Sequence, residues 1–375
     1  MSEIECISTE DAAAPITPER ARGRRARTGC SIADVARACG VSAMTVSNVV
    51  NNRGAEVSLQ TRERVLQAVR SLNYRPGVNA VQRRRTLTHA LGVIFPDAGN
   101  ELTENLYFAA VLSGIVTRAT AHEQVVSLFA PELWSDVFAS LRKYTDGRCD
   151  GLIVVTSNRE IDILGALIER GVPFVCLSGA HENPQAPSIT VDNTYGVEQA
   201  VRHLLDLGHT RIGNLQGLQL ADDAVERSAA FKSLTESLGC DADPRLVVNG
   251  SFTRSSGCAG ALSLLDQDAS SRPTAIVCAN DRIAIGVLDA ARQLGLRVPD
   301  DLSIVGFDDI LTAEITEPGL TTVRQPLKQM GSAAVDILLE RIDDLNGPVQ
   351  KLVMRPELIV RGSTARKPSI NRTKG

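Results

Sequence analysis

From Ala90 onward the chain alternates short apolar runs with longer stretches of helical periodicity, and this alternation restricts its fold more than any other feature. LGVIF (91–95), VVSLF (125–129), GLIVV (151–155), PFVCL (173–177), RIGNL (211–215), RLVVN (245–249), AIVCA (275–279) and LSIVGF (302–307) read as strands. Between them, VLSGIVTRA, DILGALIERG, GVEQAVRHLLDLG, AAFKSLTESLG, GCAGALSLLD and IAIGVLDAARQLG place apolar residues at helical spacing. Strands that are apolar along their length and alternate with helices form parallel sheets covered on both faces. Eight such units exceed one compact sheet, so the pattern predicts an α/β body of two doubly wound lobes. A ligand would sit in the cleft between them, at the carboxyl ends of the strands.

The segment before this body is different in kind. In SIADVARACGVSAMTVSNVVNNR (31–53), Ile32, Val35 and Ala36 give one apolar helical face, and Val41, Val46 and Val49 give a second. Gly40 between them can take the positive φ that ends a helix. Ser31 and Ser42 stand where each helix needs an N-terminal acceptor. Ala36 lies inside the bend, where a larger side chain would push the helices apart. A third pattern, Val65, Leu66, Val69 and Leu72 behind Ser58, stops at Pro76 and would close a small all-α three-helix head. An ordinary helical hairpin is the alternative, and charge argues against it. From Arg20 to Arg85 there are fourteen arginines and no lysine against Asp34, Glu56 and Glu63, a balance of +11 in a chain whose total is −4. A block of one sign on a compact unit suits phosphate neutralisation, and the pair of helices reads as a helix-turn-helix. Its second helix enters the major groove with Ala43, Met44, Thr45, Ser47 and Asn48 placed to meet bases or phosphates, and the capping Ser42 at its head is counted with them.

Residues 1–29 are polar and end in a basic run, which predicts a disordered tail that either touches DNA or is merely solvated. Residues 30–76 form the predicted DNA-binding domain, 77–89 an arginine-rich hinge, 90–362 the ligand-binding and dimerisation body, and 363–375 a second disordered tail. No apolar run approaches eighteen residues and the N-terminus lacks a secretory pattern, so the chain is expected to be cytoplasmic and off the membrane. The eight cysteines make no CxxC pair and read as reduced core residues rather than metal ligands.

No catalytic constellation emerges, and neither a phosphate-binding glycine loop nor an HExxH or GxSxG motif is present. An enzyme is therefore not expected, nor is a cofactor or metal. Asp308 and Asp309 are adjacent, and consecutive carboxylates point apart, which makes a poor metal site. His203 and His209 suit structural hydrogen bonding, and Trp134 suits core packing, with ring stacking on a ligand as the alternative.

Taken in order, SIADVARACGVSAMTVSNVVN, TRERVLQAVRSLNYRP, HLLDLGHTRIG, CANDRIAIGVLDAARQLGLRVPDDLSIVGFDD and LTTVRQPLKQMG resemble the LacI/GalR family of bacterial transcription regulators. The resemblance runs from about residue 30 to about 362. It implies a periplasmic-binding-protein-like body, a homodimer or tetramer, double-stranded DNA with a palindromic operator as partner, and a small polar effector, sugar-like or nucleobase-like and most simply a carbohydrate. The resulting expectation is a regulator, most simply a repressor, whose operator affinity is set by that effector. A cytoplasmic sugar-binding protein with an incidental helical unit is the competing reading.

Carried over by residue, the resemblance puts Ala43 and Met44 at base-reading positions, where small or apolar groups favour a thymine methyl, and Asn48 where many members have arginine. Thr45, Ser47 and Asn51 fall at phosphate contacts. In the hinge, Arg83 stands where the family commonly has a minor-groove leucine wedge, and Asn79 replaces an apolar residue. Arginine cannot unstack bases as leucine does, but it can follow a narrowed minor groove by charge. In the cleft, ligand contacts map onto Arg227, Asn280 and Asp308, and less strongly onto Tyr195 and Asp281. Asn280 as a helix cap and Asp308 as a turn residue are equally open readings. DAGNELTENLY (97–107) is longer than the corresponding family loop at the cleft mouth.

Overall fold

The computed structural model describes residues 32–50, 57–72, 87–95, 105–129, 141–155, 163–179, 183–241, 243–268 and 271–367. The tail at 1–29, Ser31, Asn51, Asn79, Arg83 and Trp134, and residues 97–104 of the long loop, lie outside these. The chain divides into a unit ending at Arg85 and a unit starting at Thr86, a boundary that falls inside the expected hinge.

The first unit contains α1 (Ile32–Cys39), α2 (Ala43–Val50) and α3 (Leu59–Ser71). Val35, Ala36, Cys39, Val46, Val49 and Val65 form its core, the faces that the spacing predicts. Gly40 has φ +63°, and the Val41 amide reaches back to the Ala36 carbonyl at 3.1 Å, so α1 ends in a left-handed glycine cap. Leu72 departs from expectation: α3 ends one residue before it, and Leu72 is 39% exposed rather than in the core.

The second unit is α/β with two six-stranded sheets. Lobe 1 has the order β11-β5-β4-β3-β1-β2, all parallel, from β1 (Ala90–Ile94), β2 (Val125–Phe129), β3 (Gly151–Val155), β4 (Phe174–Leu177), β5 (Ser188–Val191) and β11 (Lys351–Met354). Lobe 2 has the order β12-β10-β9-β8-β6-β7, from β6 (Ile212–Leu215), β7 (Val247–Val248), β8 (Ala275–Cys278), β9 (Ser303–Asp308), β10 (Thr321–Arg324) and β12 (Glu357–Ile359). All its pairings are parallel except β10 with β12, an antiparallel edge on the predicted parallel architecture.

Helices α4 (Leu106–Ala121), α5 (Ile163–Arg170) and α11 (Leu327–Asp343) belong to lobe 1. Lobe 2 has α6 (Asn193–Asp206), α7 (Asp222–Ser237), α8 (Arg254–Leu265), α9 (Asp281–Gln293) and α10 (Leu311–Ile315). The chain crosses between lobes three times, after β5, after β10, and between β11 and β12. In lobe 1, Phe95, Phe108, Ile115, Met330, Val335 and Leu338 share one core. There α11 lies along α4 at backbone contact. A Cβ on Gly114 would stand 2.0 Å from the Lys328 carbonyl oxygen, and one on Gly331 2.3 Å from that of Val111.

Two expectations need correction. Four strands, β5, β10, β11 and β12, are absent from the sequence-based set, because Ser188, Thr190, Thr321 and Thr322 fill buried strand positions with hydroxyls, and β11 and β12 are exposed edges. The chain also does not leave the body at 363. Ser363 is fully buried, its Oγ donates to the Ile304 carbonyl at 2.6 Å and accepts from the Thr321 amide at 2.8 Å, and the segment is built in through residue 367. The two histidines hold this segment: His203 Nε2 meets Thr364 Oγ1 at 2.9 Å and His209 Nε2 meets the Ala365 carbonyl at 2.9 Å. Burial lowers the pKa of both, which favours the neutral rings that these bonds use.

Candidate nucleic-acid interface and ligand cleft

The second helix of the first unit is built to present one face. Ser42 Oγ accepts from the Thr45 amide at 3.0 Å and pairs with Thr45 Oγ1 at 2.9 Å, which fixes the N-terminus of α2. Val46 and Val49 anchor the inner face. Ala43 and Ser47, and Met44 and Asn48, are four residues apart and stack along the outer face. Met44 is 70% exposed at the start of that face. Of the residues expected at DNA, Ser42 and Thr45 therefore form the cap, and Ala43, Met44, Ser47 and Asn48 form the surface.

In the second unit, Arg227 on α7 is the hub of a buried network. Its Nε donates to Asn193 Oδ1 at 2.8 Å, its Nη1 donates to the Ala279 carbonyl at 2.7 Å, and its guanidinium stacks 3.7 Å from the Phe307 ring centre. Asp308 Oδ1 lies 3.8 Å from Nη1 and Asp223 Oδ2 3.9 Å from Nη2. Asn193 in turn donates to Asp223 Oδ1 at 3.1 Å and Glu226 Oε2 at 2.7 Å. Gln325, at the second crossover, donates to Asp308 Oδ1 at 2.7 Å.

Asp308 ends β9 with φ +117°, a strained backbone for a non-glycine residue and a recurrent mark of functional positions. Burial pushes its carboxyl up to about 7, with Asp223 adding to the rise while Arg227 and Gln325 oppose it. Asp309, next in sequence, turns away and pairs with Arg324 and Arg361 at 2.7 Å each, so the two carboxylates do not converge. Among the described residues no cluster of three or more His, Cys, Asp or Glu side chains is placed to hold a metal.

Lobe 1 faces this network with Tyr107, at the start of α4, whose hydroxyl bonds Ser178 Oγ after β4. The Tyr107 phenol is raised by burial first and by Asp223 and Asp308 next, which places it against the lobe 2 carboxylates. Sequence reasoning missed Tyr107, Ser178, Asn193, Asp222, Asp223, Glu226 and Gln325. Only the long loop ending at Tyr107 gave a signal.

Arg227 and Asp308 are brought together at 3.8 Å, whereas the other three residues have different surroundings. Asn280 caps α9, its Oδ1 accepting from the Ile283 amide at 2.9 Å. Asp281 is fully enclosed, accepting from the Ile310 amide at 2.9 Å and from the Thr322 hydroxyl, so it is a lobe 2 strut with no surface for a ligand. Tyr195 lies under the Arg355 guanidinium at 3.9 Å, with its hydroxyl accepting from Gln199 Nε2 at 3.3 Å, and joins no bond of the Arg227 network.

Two family models match the chain: "Bacterial regulatory proteins, lacI family" over residues 31–77, and "Periplasmic binding protein-like domain" over residues 201–364. The HTH-type transcriptional regulator MalR of Streptomyces coelicolor is 37% identical over 346 residues, covering 90% of this chain and 97% of that protein. The HTH-type transcriptional repressor PurR of Photobacterium profundum is 32% identical, covering 89% and 98%. Among solved structures, a transcriptional regulator CelR–cellobiose complex superposes with a TM-score of 0.70 at 30% identity, covering 89% of this chain and 99% of that one. The lac repressor dimer bound to operator and the anti-inducer ONPF gives 0.66 at 27% identity, covering 90% and 100%. With the capped two-helix head and the two-lobed body both matched over nearly the full length, the chain belongs to the lacI family of bacterial regulatory proteins, DNA-binding transcriptional regulators with an effector-binding body.

Proposed function

We propose that this protein is a repressor that binds a palindromic operator as a homodimer and whose operator affinity changes when a small polar molecule occupies the cleft between its lobes. The observation that carries this reading is the buried Arg227–Asn193–Asp308 network facing Tyr107 across the lobes, which a merely structural core would not need. Ala43 and Met44 contact base edges, Thr45, Ser47 and Asn51 hold phosphates, Asn48 sets the half-site preference, and Asn79 and Arg83 lie in the minor groove at the operator centre. Arg227 and Asp308, with Tyr107 and Asn193, contact the effector. A partner copy has apolar surface to cover on Val116, Val125 and Leu128 of lobe 1, and on Leu311 and Ile315 of lobe 2, the last two 68% and 71% exposed. Acting on chromosomal DNA places the protein in the cytoplasm.

The test is selection of fragments of the protein's own genome by the full chain, followed by fluorescence anisotropy on the recovered site. Binding is expected to weaken by roughly three to five powers of ten between 50 and 200 mM salt for six to ten phosphate contacts. A flat salt response, or no preferred fragment with or without cell extract, overturns the proposal. A sugar-binding protein with an incidental head would keep its ligand affinity and show no operator.

A further inference from the structure

Resting on the effector reading above and deepening it, we infer that the cleft takes a ligand rich in O–H or N–H donors, uncharged or cationic, and rejects the phosphate ester or carboxylate of the same compound. The inventory of hydrogen-bonding groups points this way. Most donors around the network bond or face the protein's own acceptors. Arg227 gives Nε and one Nη1 proton to Asn193 and Ala279, and its remaining N–H groups lie toward Asp308 and Asp223 at 3.8 and 3.9 Å. Asn193 gives its amide to Asp223 and Glu226, Asn280 gives its amide to Phe252, and Gln325 gives its amide to Asp308. The Tyr107–Ser178 hydroxyl pair keeps a single proton to offer after making its own bond.

Acceptor capacity is in surplus. Gln325 is 4% exposed and its Oε1 has no partner, a buried acceptor beside Asp308 that a ligand donor would satisfy. Asp223 and Glu226 carry carboxylate lone pairs beyond those used in the bonds above, since an ionised carboxylate offers about four acceptor sites, and Asp308 keeps acceptor capacity in either protonation state. Asp222 adds a further negative charge on the first turn of α7.

Charge agrees. Even with Asp308 protonated, Asp222, Asp223 and Glu226 face the guanidiniums of Arg227 and Arg282, three acids against two bases. The protein's own acids already respond to this crowding. Glu226 is raised by burial first, then by Asp223 and Asp222, and Tyr107 is raised by burial and then by Asp223. An added anion would meet the same field.

Helix N-termini, the usual alternative for holding an anion, are only in part taken by the chain itself. α7, α10 and α11 have no side-chain cap, but the first turn of α7, the helix that carries Arg227, holds Asp222 and Asp223, whose charge disfavours an anion there. The Asn105 side chain caps α4, Asp192 caps α6, Thr253 caps α8 and Asn280 caps α9.

The experiment measures binding of matched compounds to the full chain by thermal shift and calorimetry: glucose, glucosamine and glucose 6-phosphate; cellobiose and cellobionate; adenosine and adenosine monophosphate. In any set that binds, the neutral or amino member is expected to bind at least tenfold more tightly than the anion. Asp223→Asn with Glu226→Gln should narrow that gap. In parallel, the small-molecule fraction of host-cell extract is passed over an anion exchanger, and the flow-through should keep the ability to change operator affinity. An anion that binds as tightly as its neutral parent, and is lost on Arg227→Met, overturns this inference while leaving the effector site standing. Activity retained on the exchanger does the same. An unfractionated extract without effect on operator affinity, together with no binding by any compound, overturns the effector reading and this inference with it.

Discussion

Replacing Asp308 with asparagine should stabilise the protein, and increasingly so as pH rises. Asp308 is 4% exposed, and its carboxyl is raised from 3.8 to about 7 by burial, against the pull of Arg227 and Gln325. The folded state therefore keeps a proton that the unfolded chain releases between about pH 4 and pH 7, so this group's contribution to stability falls as pH rises through that window. About three pH units at 1.36 kcal/mol each give a penalty of about 4 kcal/mol above pH 7. Asparagine keeps the shape, still accepts from the Gln325 amide and cannot ionise, so it imitates the protonated carboxyl. The difference in unfolding free energy between Asp308→Asn and the wild type should be near zero at pH 4 and reach a few kcal/mol in favour of the variant at pH 8. Urea unfolding at both pH values measures it, and groups common to both proteins cancel in the subtraction. A variant that is less stable at pH 8, or a difference that does not change with pH, refutes the argument. The first result would mean that the Arg227–Asp308 attraction outweighs the burial cost, and the second that Asp308 is ionised throughout.

Three further outcomes follow from the packing. Gly331→Ala puts a methyl 2.3 Å from the Val111 carbonyl oxygen, so α4 and α11 must separate, at a cost of about 1–3 kcal/mol in thermal or urea unfolding. Ser42→Ala removes the acceptor for the Thr45 amide and should cost about 1 kcal/mol of helix stability, read as weakened operator binding with the melting of the body unchanged. Ending the chain after Gly362 deletes the buried Ser363 bonds to Ile304 and Thr321, and should lower the melting temperature by several degrees; an unchanged value would mean that the segment only rests on lobe 2.

Where apolar side chains carry the fold, it was legible in the amino-acid order. Strands such as Gly151–Val155 and Ala275–Cys278 are buried on both faces and read as unbroken apolar runs. β5 and β10 are buried just as deeply, but Ser188, Thr190, Thr321 and Thr322 interrupt the run, and Thr321 and Thr322 use their hydroxyls to hold Arg361 and Asp281. The capped turn at Gly40 and Ser42 was readable because backbone geometry demands those residue types locally. The cleft was readable only in part. Arg227 and Asp308 could be placed by resemblance, whereas Asn193, Glu226 and Gln325 acquire their role from crossovers that join distant parts of the chain. Asp281 misled for the opposite reason: a carboxylate next to the cleft motif in sequence serves as an internal tie between Ile310 and Thr322.

The glycine contact between α4 and α11 has a mechanical consequence. Both helices start at the crossover side of lobe 1, near Tyr107 and Gln325, and run for about 25 Å to the opposite end of the sheet. Toward that end Arg118 and His122, at the close of α4, both reach Asp336 midway along α11, and Asp150 grips the Thr88 amide with both oxygens at 2.9 and 3.0 Å. Because the backbones meet at Gly114 and Gly331 with no room for a side chain between them, the two rods are seated to move as a pair, and a nudge at the cleft end would reach the other end as a shared displacement, like a push on a paired axle.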